Sequence, residues 1–249
     1  MNELYSLPIL FGVGAVAGFI NVNAGGGSTL TLPTLIFLGL DGALANGTNR
    51  VGILIQNIVA LIKYKKENYS QFKLSLRFAA FTIPGVIVGA AAAVNITSGT
   101  FEFILGLVLI GVIISMLIPR KSVVFNDDEN KKIPAKTYLA LFGIGFYGGF
   151  IQVGVGFLLM ASLYYLARFS LIYVNLHKIF IILIYTIPAI AVFAFTENIN
   201  WVYGFVLAGG NSIGSWWGVK LQIKSGDKLI RSVLIAAVFI MALKLLKVF

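Results

Sequence analysis

The sequence predicts an all-α polytopic membrane protein made of two inverted structural repeats of about five helical elements each. Three observations predict it. First, 59% of the 249 residues are hydrophobic, only 11% are charged, and the mean hydropathy is +0.94. A soluble domain carries roughly a quarter charged residues. Second, the apolar residues fall into long runs, most of them near the ~20 residues that cross a bilayer as a helix. A transmembrane β-barrel would show short alternating segments instead. Third, two runs are interrupted by nearly the same string: GFINVNAGGGS from Gly18 to Ser28, and GFIQVGVG from Gly149 to Gly156.

Taken in order, the apolar segments are 5–23, 27–40, 43–63, 74–95, 100–118, 137–153, 156–167, 170–195, 200–220 and 228–248. The first follows a start without the basic region of a signal peptide, and no small-residue cleavage site closes it. It is expected to be a structural segment. Segments 27–40 and 156–167 are short for a span, and each directly follows a glycine break. Each reads as the second arm of a broken helix or helical hairpin whose glycine-rich tip reaches the midplane. The polar stretch 119–136, with Asn126-Asp127-Asp128-Glu129-Asn130, divides the chain. Residues 1–118 form a first transmembrane repeat, 119–136 a cytoplasmic linker, and 137–249 a second, inverted repeat. Beyond the breaks, Ala45–Asn49 aligns with Val174–Lys178, and Gly85 and Gly89 align with Gly210 and Gly214. These matches indicate an internal duplication at an offset of about 125–131 residues.

Charge placement sets the orientation. Lysines and arginines crowd the loop around Lys63 to Lys73, the central linker, and the connection from Lys220 to Arg231. The loops near Asp41, from Asn95 to Glu102, and near Glu197 carry neither. If each break returns the chain to its starting face, or crosses twice, all three basic loops share the cytoplasmic side. The halves are then inverted copies, at the cost of a C-terminus outside with Lys244 and Lys247. The expected location is the inner membrane of a bacterium, with basic loops in the cytoplasm. The net charge of +10 follows from this placement and not from nucleic-acid binding.

Paired interruptions in corresponding hydrophobic segments point to a transporter's substrate site. Gly25, Gly26 and Gly27 precede Ser28 and Thr29, which open the next helix. Its free N–H groups and positive dipole end favour an anion. Asn21 and Asn23 add neutral donors, and Gln152, Gly154 and Gly156 offer a poorer version in the second half. Arg50, beside Asn46, Thr48 and Asn49, and Lys178, beside Asn175 and His177, are cations inside membrane segments, where charge is costly and usually functional. Snorkelling from near a helix end is the competing explanation for both. All nine Asp and Glu residues lie in loops or at helix ends. The site is therefore expected to be electropositive and its ligand a small anion. If protons are coupled, His177 or the substrate carries them; a neutral hydrogen-bonding role fits His177 equally. Gln56, Asn57 and Tyr185 form a second tier, with interhelix hydrogen bonding as their first reading. Isolated glycine pairs such as Gly14 with Gly18 and Gly145 with Gly149 read as close helix packing.

The chain has no cysteine and one histidine. That removes disulfides, thiolate sites, cysteine nucleophiles and multi-histidine metal sites. No metal or other cofactor is expected. A membrane-embedded enzyme would need a nucleophile with a base, and Ser28 has none evident. A passive scaffold would leave the doubled break without purpose.

The break from Gly18 to Pro33, with its G-F-I-N and G-G-G strings, resembles the signature of the TauE/SafE family. So do the A-x-x-G-T-N-like run through Gly47, Thr48 and Asn49, and the degenerate second copy at Gly149. The resemblance covers essentially the whole chain. It implies secondary export of sulfite, sulfoacetate or related organosulfonates across a bacterial inner membrane by alternating access. An anion channel or an importer of a similar anion is the alternative, because sequence does not set direction. Two departures stand out: Asn21-Val22-Asn23-Ala24 where members carry small apolar residues, and Gly154-Val155-Gly156-Phe157 in place of a full glycine triplet.

Overall fold

The computed structural model describes residues 3–117 and 124–225. These residues form helices and connections, with no strand among them. The helices are α1 (Glu3–Ala24), α2 (Ser28–Phe37), α3 (Gly42–Lys66), α4 (Phe72–Val94), α5 (Ser98–Leu117), α6 (Ala135–Phe150), α7 (Val155–Ala161), α8 (Leu171–Phe195) and α9 (Trp201–Ser225). A π-helical turn, Ser162–Leu166, continues α7. The expected segment 228–248 lies outside the described residues, as does part of the linker.

Length and composition allow three of these helices to cross a membrane: Ser6–Ala24, Phe72–Val94 and Leu171–Phe195. Helices α3 and α9 reach 25 residues each, but α3 carries four basic residues and α9 is less apolar, with Asn211 and five glycines along it. The described residues are thus all-helical, with three helices long and apolar enough to span a membrane.

Local chemistry explains the boundaries. Helix α2 ends three residues before the expected position 40, because Gly39 turns left-handed (φ +97°) and Leu40 N–H closes back on Leu35 O at 3.2 Å. Asp41 then caps α3, its side chain accepting from Leu44 N at 3.0 Å. Helix α6 ends at Phe150 and not 153, because Gln152 (φ +61°) and Gly154 (φ +72°) are both left-handed. The acidic linker is docked. Asp127 Oδ1 accepts from Ser170 N at 2.8 Å, and Glu129 Oε1 from Leu74 N at 3.3 Å. Each places negative charge at a helix start, where the dipole favours it.

Two helix contacts dominate the core, and glycines make both. Helix α1 packs on α9, and α6 packs on α4. A methyl on Gly18 would lie 2.8 Å from Asn211 Cα; one on Gly149 would lie 2.7 Å from Val86 Cα. From the opposite side, Gly210 and Gly214 sit on Phe11 and Ala15, while Gly85 and Gly89 sit on Phe142 and Phe146. Small residues let helix backbones approach, which supplies the packing energy that lipid cannot. Helices α3 and α8 then pack on each other, α3 also on α9, and α8 also on α4. Exchanging α1 with α6, α3 with α8 and α4 with α9 leaves this list of contacts unchanged.

Candidate functional site

The two interruptions meet. After α1, Gly25 (φ +86°) closes onto Asn21 O at 2.9 Å, and Gly26 and Gly27 lead into α2. The first amides of α2 are spent on the break itself: Thr29 N–H donates to Gly26 O at 3.0 Å, and Leu30 and Thr31 N–H donate to Gly27 O at 3.0 and 3.3 Å. After α6, residues 151–154 unwind before α7. A Cβ on Gly25 would lie 2.5 Å from the carbonyl carbon of Gly156. Only glycine fits at this crossing, and at Gly25 the positive φ adds a second reason. The ring of Phe157 covers Gly26.

Two buried cations cross between the breaks. Arg50 of α3 reaches the break after α6: Nη2 donates to Gly149 O at 2.5 Å and to Asn46 Oδ1 at 3.3 Å, and Nη1 donates to Gln152 Oε1 at 2.7 Å. Its guanidinium carbon lies 4.9 Å from the Phe193 ring centre. Asn46 Nδ2 donates to the next carbonyl, Phe150 O, at 2.8 Å. Lys178 of α8 reaches the break after α1: Nζ donates to Asn21 O at 2.9 Å, Val22 O at 3.0 Å and Asn175 Oδ1 at 2.6 Å. Asn175 Nδ2 donates to Asn23 O at 3.4 Å. In each case a cation and its neighbouring asparagine sit against the carbonyl end of a stopped helix. That end is the negative pole of the helix dipole and leaves its last carbonyls without helical partners.

The donors are spent differently. An ammonium has three donors, and Lys178 gives all three to oxygen; Met160 Sδ stands 3.9 Å away. Arg50 has five donors, and its Nε has no partner within the protein. Both side chains are at most 1% exposed. No Asp or Glu among the described residues is buried, and the ion pair recorded among them, Lys63 with Glu67, lies at the end of α3.

The remaining residues singled out from sequence divide by position. Ser28, Thr31 and Asn49 join α2 to α3: Thr31 Oγ1 donates to Asn49 Oδ1 at 2.6 Å, and Asn49 Nδ2 to Ser28 Oγ at 3.4 Å. Thr29 Oγ1 folds back on Gly26 O at 2.6 Å, and Asn23 Nδ2 on Phe19 O at 2.9 Å, leaving Asn23 Oδ1 without a partner. Thr48 turns away, accepting from Asn200 N at 2.9 Å. His177 also turns away: its Nδ1 meets Ser75 Oγ at 2.8 Å, and its ring packs edge-on against Phe78 and Phe169. Gln56 Nε2 reaches Asn57 Oδ1 at 3.5 Å. Tyr185 Oη is buried, lacks a partner, and stands where a methyl on Gly148 would be 3.1 Å away. Sequence reasoning passed over Thr31, Phe193 and the carbonyls of Asn21, Val22, Gly149 and Phe150. Thr31 was findable, three residues after Ser28 on the same helix face. The carbonyls carry no residue-type signal.

Comparison with known proteins bears on the whole chain. The family model described as "Sulfite exporter TauE/SafE" matches residues 10–245. The chain is 28% identical to the "Probable membrane transporter protein ORF9" of a Sinorhizobium species, over 96% of this chain and 92% of the relative. It is 28% identical to a "Probable membrane transporter protein" of Haemophilus influenzae, over 96% and 94%. It is 25% identical to "Probable membrane transporter protein YunE" of Bacillus subtilis, over 92% and 95%. No solved structure matches.

Proposed function

We infer that this chain, which belongs to the sulfite exporter TauE/SafE family of membrane transporters, is a secondary transporter that exports small sulfur-containing anions. Sulfite, sulfoacetate and related organosulfonates are the substrate class, and transport proceeds by alternating access. The two halves are inverted repeats whose glycine-rich breaks meet near the midplane, and the anion binds there. The exchange symmetry of the helix contacts, together with the Gly25–Gly156 crossing, supports that arrangement.

One observation carries the reading. Arg50 and Lys178 are buried at the breaks, with no buried carboxylate among the described residues to balance them. Buried charge without a counter-charge is costly and marks an ion pathway in membrane proteins. A small anion supplies the missing charge, bound by the spare donors of Arg50 and favoured by the positive end of the α2 dipole. Asn21, Asn49, Ser28 and Gln152 add neutral contacts. Lys178 contributes its field, and also direct contact in any state where it leaves the carbonyls of Asn21 and Val22. With Ser75, Phe78 and Phe169 around its ring, His177 has a structural role in this reading, and a coupling proton travels with the substrate.

The test is flux from proteoliposomes loaded with sulfoacetate, with and without a pH gradient. Efflux that follows the gradient supports coupled export. Gradient-independent flux in both directions indicates a channel, and accumulation inside indicates an importer. Absence of flux for sulfite and every small sulfonate removes the substrate assignment.

A further inference from the structure

The two glycine-mediated helix contacts have matching backbones and different side chains. Gly14 and Gly18 of α1 rest on Leu207 and Asn211 of α9, just as Gly145 and Gly149 of α6 rest on Thr82 and Val86 of α4. The same offset pairs Ser215 of α9 with Ala90 of α4. All four of Asn211, Ser215, Val86 and Ala90 are at most 1% exposed. Val86 and Ala90 show that the contact closes with apolar side chains at these two positions. Packing therefore does not call for an amide or a hydroxyl at Asn211 and Ser215.

The polar residues on the α9 side also lack full satisfaction. Asn211 Oδ1 has no partner within the protein, nor do Asn57 Nδ2 on α3 and Ser212 Oγ on α9. Ser215 Oγ reaches Gln56 O on α3 at 3.3 Å, and Asn211 Nδ2 lies 3.0 Å from where a methyl on Gly52 would sit. These groups thus form one seam between α3 and α9, beside α1. Each buried, unpartnered polar group costs about 1–3 kcal/mol. Where α3 ends, Lys63 and Lys66 stand over the Trp216 ring at 5.2 and 5.3 Å, so a cationic mouth closes the seam. No acidic side chain among the described residues lies along it: Glu67 sits beyond, paired with Lys63.

We propose that the anion travels along this seam between α1, α3 and α9, with Asn211, Ser215, Gln56 and Asn57 as the groups that solvate it. On the mirrored side Tyr185 Oη and Thr186 Oγ1 of α8 are unpartnered too, but Val86 and Ala90 of α4 offer no polar group where Asn211 and Ser215 do, and that helix face serves as scaffold. Neutral amides suit a passing oxyanion, because either end of an amide can turn to the solute or to its water, and no fixed charge traps it. The inference rests on the anion-transport reading for the identity of the passenger, but not for the existence of a wet route.

The absence of native cysteine makes the test direct. Asn211→Cys and Ser215→Cys, with their mirror positions Val86→Cys and Ala90→Cys, are each placed in the full chain in proteoliposomes. An anionic, membrane-impermeant thiosulfonate reagent is then added from both sides. Labelling is expected at the two α9 positions and not at the two α4 positions, and sulfoacetate is expected to slow it. Ser215→Cys and Ala90→Cys change a side chain by one atom, so this pair reads the outcome even if the larger substitutions disturb folding. Labelling of α9 that sulfoacetate does not slow keeps the seam and overturns the anion reading. Equal labelling of both helices, or labelling of neither, overturns the seam.

Discussion

Arg50 and Lys178 occupy comparable places and do unequal work. Each comes from one half of the chain and holds the carbonyl end of the broken helix in the other half. Each brings an asparagine from the preceding turn, Asn46 or Asn175, to a neighbouring carbonyl. Yet Lys178 is saturated by three oxygens, while Arg50 keeps an unpartnered Nε beside an amide side chain. Matched positions thus need not be matched sites. One cation spends every donor on capping α1, and the other keeps a donor free.

The largest effect that can break this comparison is at the crossing both clamps depend on. Gly25→Ala and Gly156→Ala each drive a methyl into the opposite backbone. Each is expected to lower stability in detergent by about 3 kcal/mol or more, as strained or overpacked interior sites do. Gly25→Ala is expected to be worse by roughly 1–2 kcal/mol because of its left-handed backbone. Thermal unfolding of both variants checks this. Wild-type stability in either variant means that the breaks do not touch.

Next in size are the clamps themselves, compared without anion. Lys178→Met leaves Asn21 O and Val22 O without their ammonium, at about 1–3 kcal/mol for each orphaned buried group, less the relief of no longer burying a charge. Arg50→Gln is expected to cost less, because glutamine can still donate to Gly149 O and the unpartnered Nε goes with the guanidinium. Denaturation midpoints in anion-free detergent give the order. If Arg50→Gln is the more damaging, the roles assigned to the two cations are reversed.

The smallest difference lies in the helper asparagines. Asn46 holds Phe150 O at 2.8 Å, whereas Asn175 holds Asn23 O at 3.4 Å. Asn46→Ala should therefore destabilise more than Asn175→Ala, by roughly 1 kcal/mol, the net worth of one good buried hydrogen bond. Equal losses would make the two clamps equivalent at this level.

Much of this was legible in the sequence. The all-helical membrane class and the positions of the nine α-helices among the described residues followed from apolar runs; Gly39 and Gln152 explain the early ends of α2 and α6, while α9 runs five residues past its expected end at 220. A left-handed glutamine is not written in residue type, so the early stop of α6 could not be read. The contact glycines at 14, 18, 145 and 149 were legible because only small residues permit such approach. For Arg50 and Lys178, the sequence showed where charge was buried but not what it touched. Their partners are main-chain carbonyls, identical at every residue and exposed only because two helices stop. His177 misleads for a related reason: its neighbours on α8 stand at the break, but the helix turns its own ring toward Ser75.

In the proposed reading an anion supplies the counter-charge to Arg50 and Lys178, with Arg50 as the principal contact. Titration of the purified protein with sulfite and with sulfoacetate, followed by thermal unfolding, tests it most directly. At about a hundred times its Kd, a bound anion stabilises the folded state by roughly 2.7 kcal/mol. That stabilisation is predicted for the wild type, reduced in Lys178→Met and lost in Arg50→Gln. A wild type indifferent to both anions, or an Arg50→Gln variant stabilised as strongly as the wild type, would contradict the account.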